Sequence, residues 1–462
     1  MKLNIFVLTY IFIFLTSTLS AQEFITLEMS REMALKNNKQ MAISAENSKM
    51  AGYSVKAYKS NFLPKVSAFG NYLLTTTSID KTIPSFHLPT YIPDATGQLV
   101  PNILTTMDGV PIFKEYAYFP GMDLSLKPNG TYIAGLNVEM PIYMGGKITS
   151  AYKMSKIGQE MARLNEAKTR KEVILQADVA YWTYVETLEL EKTARAYIEL
   201  VKHLETDVDN AYNAGMVPRN DLLKVQVKLN EVELQLMRAE NGVRLARMNL
   251  CHFIGLPLNS EITVESEMDY EMEKEIPLPD LIARPEYELL SKQIELKDQQ
   301  VQLVKSDFLP SLGIAGNMCY ANGLKLNERK LLDNTSFSAV VSVSIPLFHW
   351  GEGRNKVRSA MAEKKVATMQ RDELTEKMEL EIQKALQAFN ESEARVMLTK
   401  RSLNQAEENL RESSDRYELG LETLSNLMEA QVMWQQTHSE LIRANSTFRI
   451  AETGYLKAAG RL

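Results

Sequence analysis

Apolar residues recur along the chain with two different periods. Four stretches of about ten residues alternate residue by residue. Val66, Ala68, Gly70, Tyr72 and Leu74 interleave with Lys65, Ser67, Phe69, Asn71 and Leu73. Tyr132, Ala134, Leu136, Val138 and Met140 do so with Thr131, Ile133, Gly135, Asn137 and Glu139. The pattern returns after Pro310 (Leu312, Ile314, Gly316, Met318, Tyr320) and before Pro346 (Phe337, Ala339, Val341, Val343, Ile345). Each predicts a strand with one apolar and one mostly polar face, the dyad pattern of a transmembrane barrel strand. A pair of soluble hairpins would alternate in the same way. Phe62, Tyr143, Phe308, Phe348 and Trp350 fall at one end of these stretches, where an aromatic girdle would lie.

The second period is helical. A Pro-free, Ala/Glu/Lys/Leu-rich run from about 147 to 212 predicts a helix roughly 100 Å long at ~1.5 Å per residue. The run from about 352 to 416 predicts its equal. Helices of this length suit a rod or a tube rather than a compact core. After Gly215 a seam of Leu222, Val225, Leu229, Val232, Leu236, Ala239, Val243, Ala246 and Leu250 alternates spacings of 3 and 4, the heptad of coiled-coil packing. After Gly420 the matching seam runs from Leu427 to Tyr455. Gly215 and Gly420 are therefore predicted as positive-φ turns between antiparallel helices, with Pro218 just inside the next helix. A plain coiled coil would account for these segments taken alone.

The two periods repeat in the same order. Lys59-Ser60-Asn61-Phe62-Leu63-Pro64 recurs as Lys305-Ser306-Asp307-Phe308-Leu309-Pro310, at an offset of 246. Met140-Pro141-Ile142-Tyr143 recurs as Ile345-Pro346-Leu347-Phe348, and Tyr212-Asn213-Ala214-Gly215 as Tyr417-Glu418-Leu419-Gly420, both at 205. The two offsets differ by 41 residues, an insertion in the first copy between Pro64 and Pro141. The organisation expected is a signal peptide over 1–21, a first repeat over 22–256, an acidic linker over 257–281 and a second repeat over 282–462. The first repeat holds a strand pair over 64–141 with a long loop at 77–130, then a helical hairpin turning at 215. The second holds a strand pair over 310–346 and a hairpin turning at 420.

The leader changes the compartment. Lys2, the apolar run Ile5–Leu15 and the small residues Ser17 to Ala21 read as a secretory signal cleaved after Ala21. No Cys follows to carry a lipid, and no later run reaches the ~18 apolar residues of a membrane-spanning helix. The 462 residues carry 52 Lys+Arg against 58 Asp+Glu, a formal charge of −6 that gives no basic excess for nucleic acid. Two Cys and five His offer no disulfide or metal scaffold. The His residues show no i, i+4 pairing and there is no Gly-rich phosphate loop, so no enzyme activity, metal or cofactor is expected. Open sheet edges cannot lie in hydrocarbon, and four strands cannot close where known barrels begin at about eight. Copies must share a barrel: two would give eight strands and a filled interior, three would give twelve and a lumen.

Phe62-Leu63-Pro64 and Phe308-Leu309-Pro310 opening strands, Pro141 and Pro346 closing them, and Arg416-Tyr417-x-x-Gly420 at the helical turn resemble the TolC-like outer-membrane efflux protein family. The resemblance covers nearly the whole mature chain. It implies a mixed α and β membrane protein: a homotrimer with a 12-stranded outer-membrane β-barrel, four strands per chain, continued by a periplasmic α-helical barrel of coiled-coil hairpins. It also implies a periplasmic adaptor and an inner-membrane transporter as partners, and a passive exit duct for efflux or type I secretion. By position from the turn glycines, Tyr417 and Asp221 match the family's gate Tyr and Asp, so an Asp221–Tyr417 hydrogen bond is expected. The gate Arg falls on Glu422, and the two constriction aspartates fall on Asn426 and Glu429. Arg219 is expected to supply the missing cation, toward Glu422. A ring of Glu429 carboxylates would favour cations. The alternative reading is a trimeric coiled-coil surface adhesin with a shared barrel anchor, which would place its strands in one terminal block.

Overall fold

The computed structural model describes residues 23–265 and 277–462. The expected signal segment, and residues 266–276 of the acidic linker, lie outside the described residues. The chain divides into two compact units. One comprises residues up to 55, 153–301 and 358–462; the other comprises 56–152 and 302–357.

The helical unit opens with strand β1 (Glu23–Ile25), helix α1 (Leu27–Asn37) and most of α2 (Lys39–Ser60). Thr26 caps α1 by accepting from the Met29 amide at 3.2 Å. Helix α3 (Lys147–Asn213) runs 67 residues and returns as α4 (Arg219–Ile254). In the second repeat α6 (Glu352–Glu418), again 67 residues, returns as α7 (Leu424–Ala458). The anticipated seam residues of α4 and α7 are buried or half-buried. Strand β12 (Ile262–Val264), from the first part of the linker, pairs in parallel with β1. Past residue 276 the chain docks on the end of α7, where the Tyr455 hydroxyl donates to the Pro277 carbonyl at 2.8 Å. Helix α5 (Pro285–Ser306) follows.

Between α1, α3 and α7 lies a buried charge. Asp178 is fully buried and accepts from Arg31 Nε at 2.7 Å, from the same guanidinium's second nitrogen, and from the Thr453 hydroxyl at 2.7 Å. Nothing in the sequence periodicity marks this cluster, because it joins three segments far apart in the chain.

The second unit is built of strands. β2 (Lys65–Leu73), β11 (Thr131–Met144), β13 (Ser311–Asn322) and β16 (Asp333–Ser344) form one antiparallel sheet in the order β16-β13-β11-β2. The expectation that Pro141 closes a strand needs correcting: β11 runs on to Met144. Proline lacks the N–H for the ladder, and the strand absorbs it by a shift of register between Pro141 and Tyr143.

The expected loop at 77–130 is likewise a folded region. β3 (Ile79–Ile83) and β10 (Met122–Lys127) pair, and β10 also pairs with β14 (Lys325–Leu326), which turns into β15 (Arg329–Lys330). The second four-stranded sheet therefore runs β15-β14-β10-β3. Between β3 and β10 lie three further ladders: β4 (Phe86–Pro89) with β9 (Tyr116–Phe119), β5 (Tyr91–Pro93) with β6 (Leu99–Pro101), and β7 (Ile103–Thr105) with β8 (Pro111–Phe113). Short β-branched and aromatic runs broken by Gly97, Gly109 and Gly121 supply strand and turn in alternation.

Candidate functional site: the two-faced sheet and the hairpin turns

The register of the four-stranded sheet decides what its faces are. Val66 lies opposite Val138, which lies opposite Gly316, which lies opposite Ala339. Ala68, Leu136, Met318 and Phe337 form the next row, and Met140, Ile314 and Val341 another. The apolar positions of all four strands thus share one face. The other face carries Ser67, Asn137, Asn317 and Ser338 in one row, with Lys65 opposite Glu139 in another. Among the described residues nothing covers the apolar face at its β16 edge: Phe337 is 77% exposed, and every residue of β16 is exposed. Both edge strands, β2 and β16, have one unpaired side. Aromatic side chains gather near the strand ends that adjoin helices, where Phe348 and Trp350 meet edge-on at 4.9 Å and Phe62 meets Tyr152 at 5.8 Å.

The two hairpin turns are built alike. Gly215 and Gly420 both take φ of +71°, and both close a Schellman motif. Met216 N donates to the Ala211 carbonyl at 2.9 Å, and Leu421 N to the Arg416 carbonyl at 2.8 Å. Met216 and Leu421 then project outward, 79% and 75% exposed. Sequence reasoning passed over this apolar pair, although a large apolar residue following each turn glycine was the signal available. Pro218 is the N-cap of α4, one residue outside the helix rather than inside it, because its extended ψ of 152° ends the turn.

The residues expected at the gate divide between these turns. Asp221, in the first turn of α4, is held by Lys224 Nζ at 3.0 Å. Tyr417 packs among the residues buried between α3, α4 and α7. Burial pushes its hydroxyl pKa up, and the negative fields of Asp221 and Asp207 add to the shift. The expected Asp221–Tyr417 hydrogen bond does not form, since Asp221 is engaged by the lysine one turn away. Asn426 and Glu429 lie three residues apart on one face of the first turns of α7, and Glu422 precedes the helix, just before its N-cap Thr423. Asn426 Nδ2 donates to Glu422 at 3.1 Å, and its backbone amide donates to the N-cap Thr423 hydroxyl at 3.3 Å. Asn426 and Glu429 are exposed, opposite the buried Leu424, Leu427 and Ala430. The expected Arg219–Glu422 ion pair is not formed within the chain: Arg219 is exposed, and Glu422 is taken by Asn426.

Beside the turns, α4 and α7 enclose a groove of about 510 Å³, lined by Leu223, Val227 and Met428 with Lys224, Lys228 and Glu231 at its edge. Among the described residues no helix is long and apolar enough to cross a membrane, and no three His, Cys, Asp or Glu side chains cluster as metal ligands.

A two-faced sheet with free edges, attached to paired long helices, is the protomer architecture of an outer-membrane channel. The chain belongs to the outer membrane efflux protein family, whose pattern matches residues 31–256 and 284–461. It is 24% identical over 260 residues to the nodulation protein T of Rhizobium leguminosarum bv. trifolii, a match covering 55% of this chain and 54% of that protein. The chain thus spans about half the length of that relative. Its fold is similar to the Campylobacter jejuni CmeC outer membrane channel at a TM-score of 0.71 and 20% identity, covering 94% of this chain and 85% of that one. It is also similar to the Vibrio cholerae outer membrane protein VceC at 0.68 and 15%, covering 94% and 96%.

Proposed function

We propose that three copies of this chain close their sheets into a twelve-stranded barrel across the outer membrane. The helical hairpins then form the wall of a periplasmic tube, and the assembly is a passive exit duct for small molecules or proteins delivered by an inner-membrane transporter. The observation that carries this reading is the register of the sheet. One continuous apolar face suits lipid, one polar face suits a wet lumen, and two free edges demand partners. Three chains rather than two leave that lumen open. No step in this role needs an enzyme site or a cofactor. The adhesin alternative loses its support because β2 and β11 are separated in the chain from β13 and β16 by α3, α4 and α5.

At the hairpin turns, Glu422, Asn426 and Glu429 face the axis and form the constriction, with Tyr417 and Asp221 behind them. Arg219 has no acidic partner among the described residues, so its cationic role would be exerted across a chain boundary. Met216, Leu421 and the groove between α4 and α7 offer a periplasmic adaptor apolar anchors with charged edges. The test is the purified protein in planar bilayers, together with its native mass in detergent. Expected are a three-chain particle, cation-selective conductance weakened by Glu429→Gln, and raised conductance when Arg219 and Glu422 are both replaced by Ala. A single-chain particle without conductance overturns the proposal.

A further inference from the structure

The 41-residue insertion gives the first repeat a structure that the second lacks. Residues 84–120 fold as a cloverleaf: β4 and β9 are the stem, and β5–β6 and β7–β8 are two leaves whose tip glycines, Gly97 and Gly109, lie 12 residues apart. The junction is made by Asn102, only 8% exposed. Its amide donates to the Thr90 carbonyl at 2.9 Å, its side-chain Nδ2 to the Thr90 hydroxyl at 3.3 Å, and its carbonyl accepts from Lys114 N at 2.7 Å. Both tips are locked. Asp94 Oδ1 accepts from Thr96 N, Thr96 Oγ1 and Gln98 N, while the Thr106 hydroxyl bridges to the amide and carbonyl of Val110.

This ordered region leaves its apolar side chains in the open. Tyr91, Leu99, Leu104 and Tyr118 are all more than half exposed. Two-stranded ladders are marginal by themselves, and several large apolar side chains left exposed on an ordered region point to a contact. Topology indicates what makes it. In both four-stranded sheets one edge is a first-repeat strand, β2 or β3, and the other is a second-repeat strand, β16 or β15. A copy that closes against the β2 edge brings its own β16 edge, and with it the β14–β15 hairpin. The cloverleaf is inserted between the edge strand β3 and its neighbour β10, next to the edge that such a copy would approach. Charge agrees: the leaves end in Asp94 and Asp108, whereas the β14–β15 hairpin carries Lys325 and Arg329, with its Glu328 already paired with Lys127 and its Lys330 with Asp333.

We infer that the cloverleaf of each chain clasps the β14–β15 hairpin of the adjacent copy. The inference rests on the proposed self-assembly and adds the surface that latches it. The test uses two differently tagged full-length chains made together, one Asp108→Cys and one Arg329→Cys, solubilised in detergent and mildly oxidised. A covalent link between the two tags, absent when either variant is made alone, is expected. Replacing residues 85–119 by a short Gly-Ser link should leave a three-chain native mass but lower the temperature at which the oligomer falls apart in SDS. A three-chain particle whose cysteines both react freely with maleimide yet never link across tags overturns the clasp and leaves the channel reading standing. A single-chain mass overturns both.

Discussion

Helices α3 and α6 are copies in length and differ in almost everything else. Each has 67 residues, and each ends in a Schellman turn at a glycine with φ of +71°. Along α3, Val173, Ala177, Ala180 and Tyr184, then Tyr197, Val201, Leu204 and Val208, are buried at alternating steps of 3 and 4. They share clusters with α1, α4, α7 and the β1–β12 ladder. On α6, Val396 packs with Ala444 and Phe448 of α7, beside Phe389, and Ala360, Ala367, Met378, Ile382, Leu403 and Ala406 are buried as well. Val366, Met369 and Leu380 on α6 stay exposed on one heptad face, with Glu373 and Glu376 at the positions between them. Duplication copied the rods but not their surroundings: α3 is sealed by α1, α4, α7 and the β1–β12 ladder, whereas α6 buries one face and leaves Val366, Met369 and Leu380 uncovered by the described residues.

The largest effect is expected where α3 is sealed. Arg31→Met removes the bidentate partner of the fully buried Asp178 and leaves only the Thr453 hydroxyl. An uncompensated buried carboxylate costs about 3–5 kcal/mol. The thermal midpoint should fall steeply and independently of protein concentration, while Asp178→Asn with Arg31→Met should recover part of the loss. An unchanged midpoint would show that α3 does not depend on its own chain for closure.

On α6 the same kind of substitution should act on assembly instead. Val366→Lys with Leu380→Lys removes apolar area that the described residues leave open and that a second copy would cover on assembly, worth about 1.5–3 kcal/mol per side chain if fully buried there. Native mass should shift toward single chains, and helical circular dichroism of those chains should stay unchanged. A loss of helix content in the separated chains would mean that these side chains are used internally, and the contrast with α3 would collapse.

Much of this was legible in the sequence because periodicity is a local property. The four strands, both long helices and both turn glycines stand where alternation, Pro-free runs and the offsets of 246 and 205 put them. What was not legible depends on contacts between distant segments. Asp178 sits in a helical pattern like any other polar residue until Arg31 and Thr453 converge on it. The cloverleaf was expected as loop because strands of 3 or 4 residues fall below the length at which alternation can be seen. At the turns, Asn426 takes Glu422 and Lys224 takes Asp221, short-range contacts that a match of positions to a family cannot foresee.

The smallest effect expected is a slope rather than a step, and it probes both long helices at once. His438 on α7 places Nδ1 2.8 Å from the Thr193 hydroxyl of α3, and its ring stacks on Trp434 at 5.6 Å. Burial pushes its pKa down, opposed more weakly by Glu407 on α6 and Glu189 on α3. The unfolded chain takes up the proton near pH 6.5, before the folded chain does. Stability is therefore independent of this group above that pH and is lost as pH falls from there toward the lower folded value, below which the loss levels off. Thermal midpoints between pH 8 and 5 should show the decline, and His438→Gln should flatten that part of it. If removing Glu407 steepens the decline as much as removing Glu189 does, α6 is held to α7 here as firmly as α3 is. A response to Glu189 alone would sharpen the contrast between the two rods.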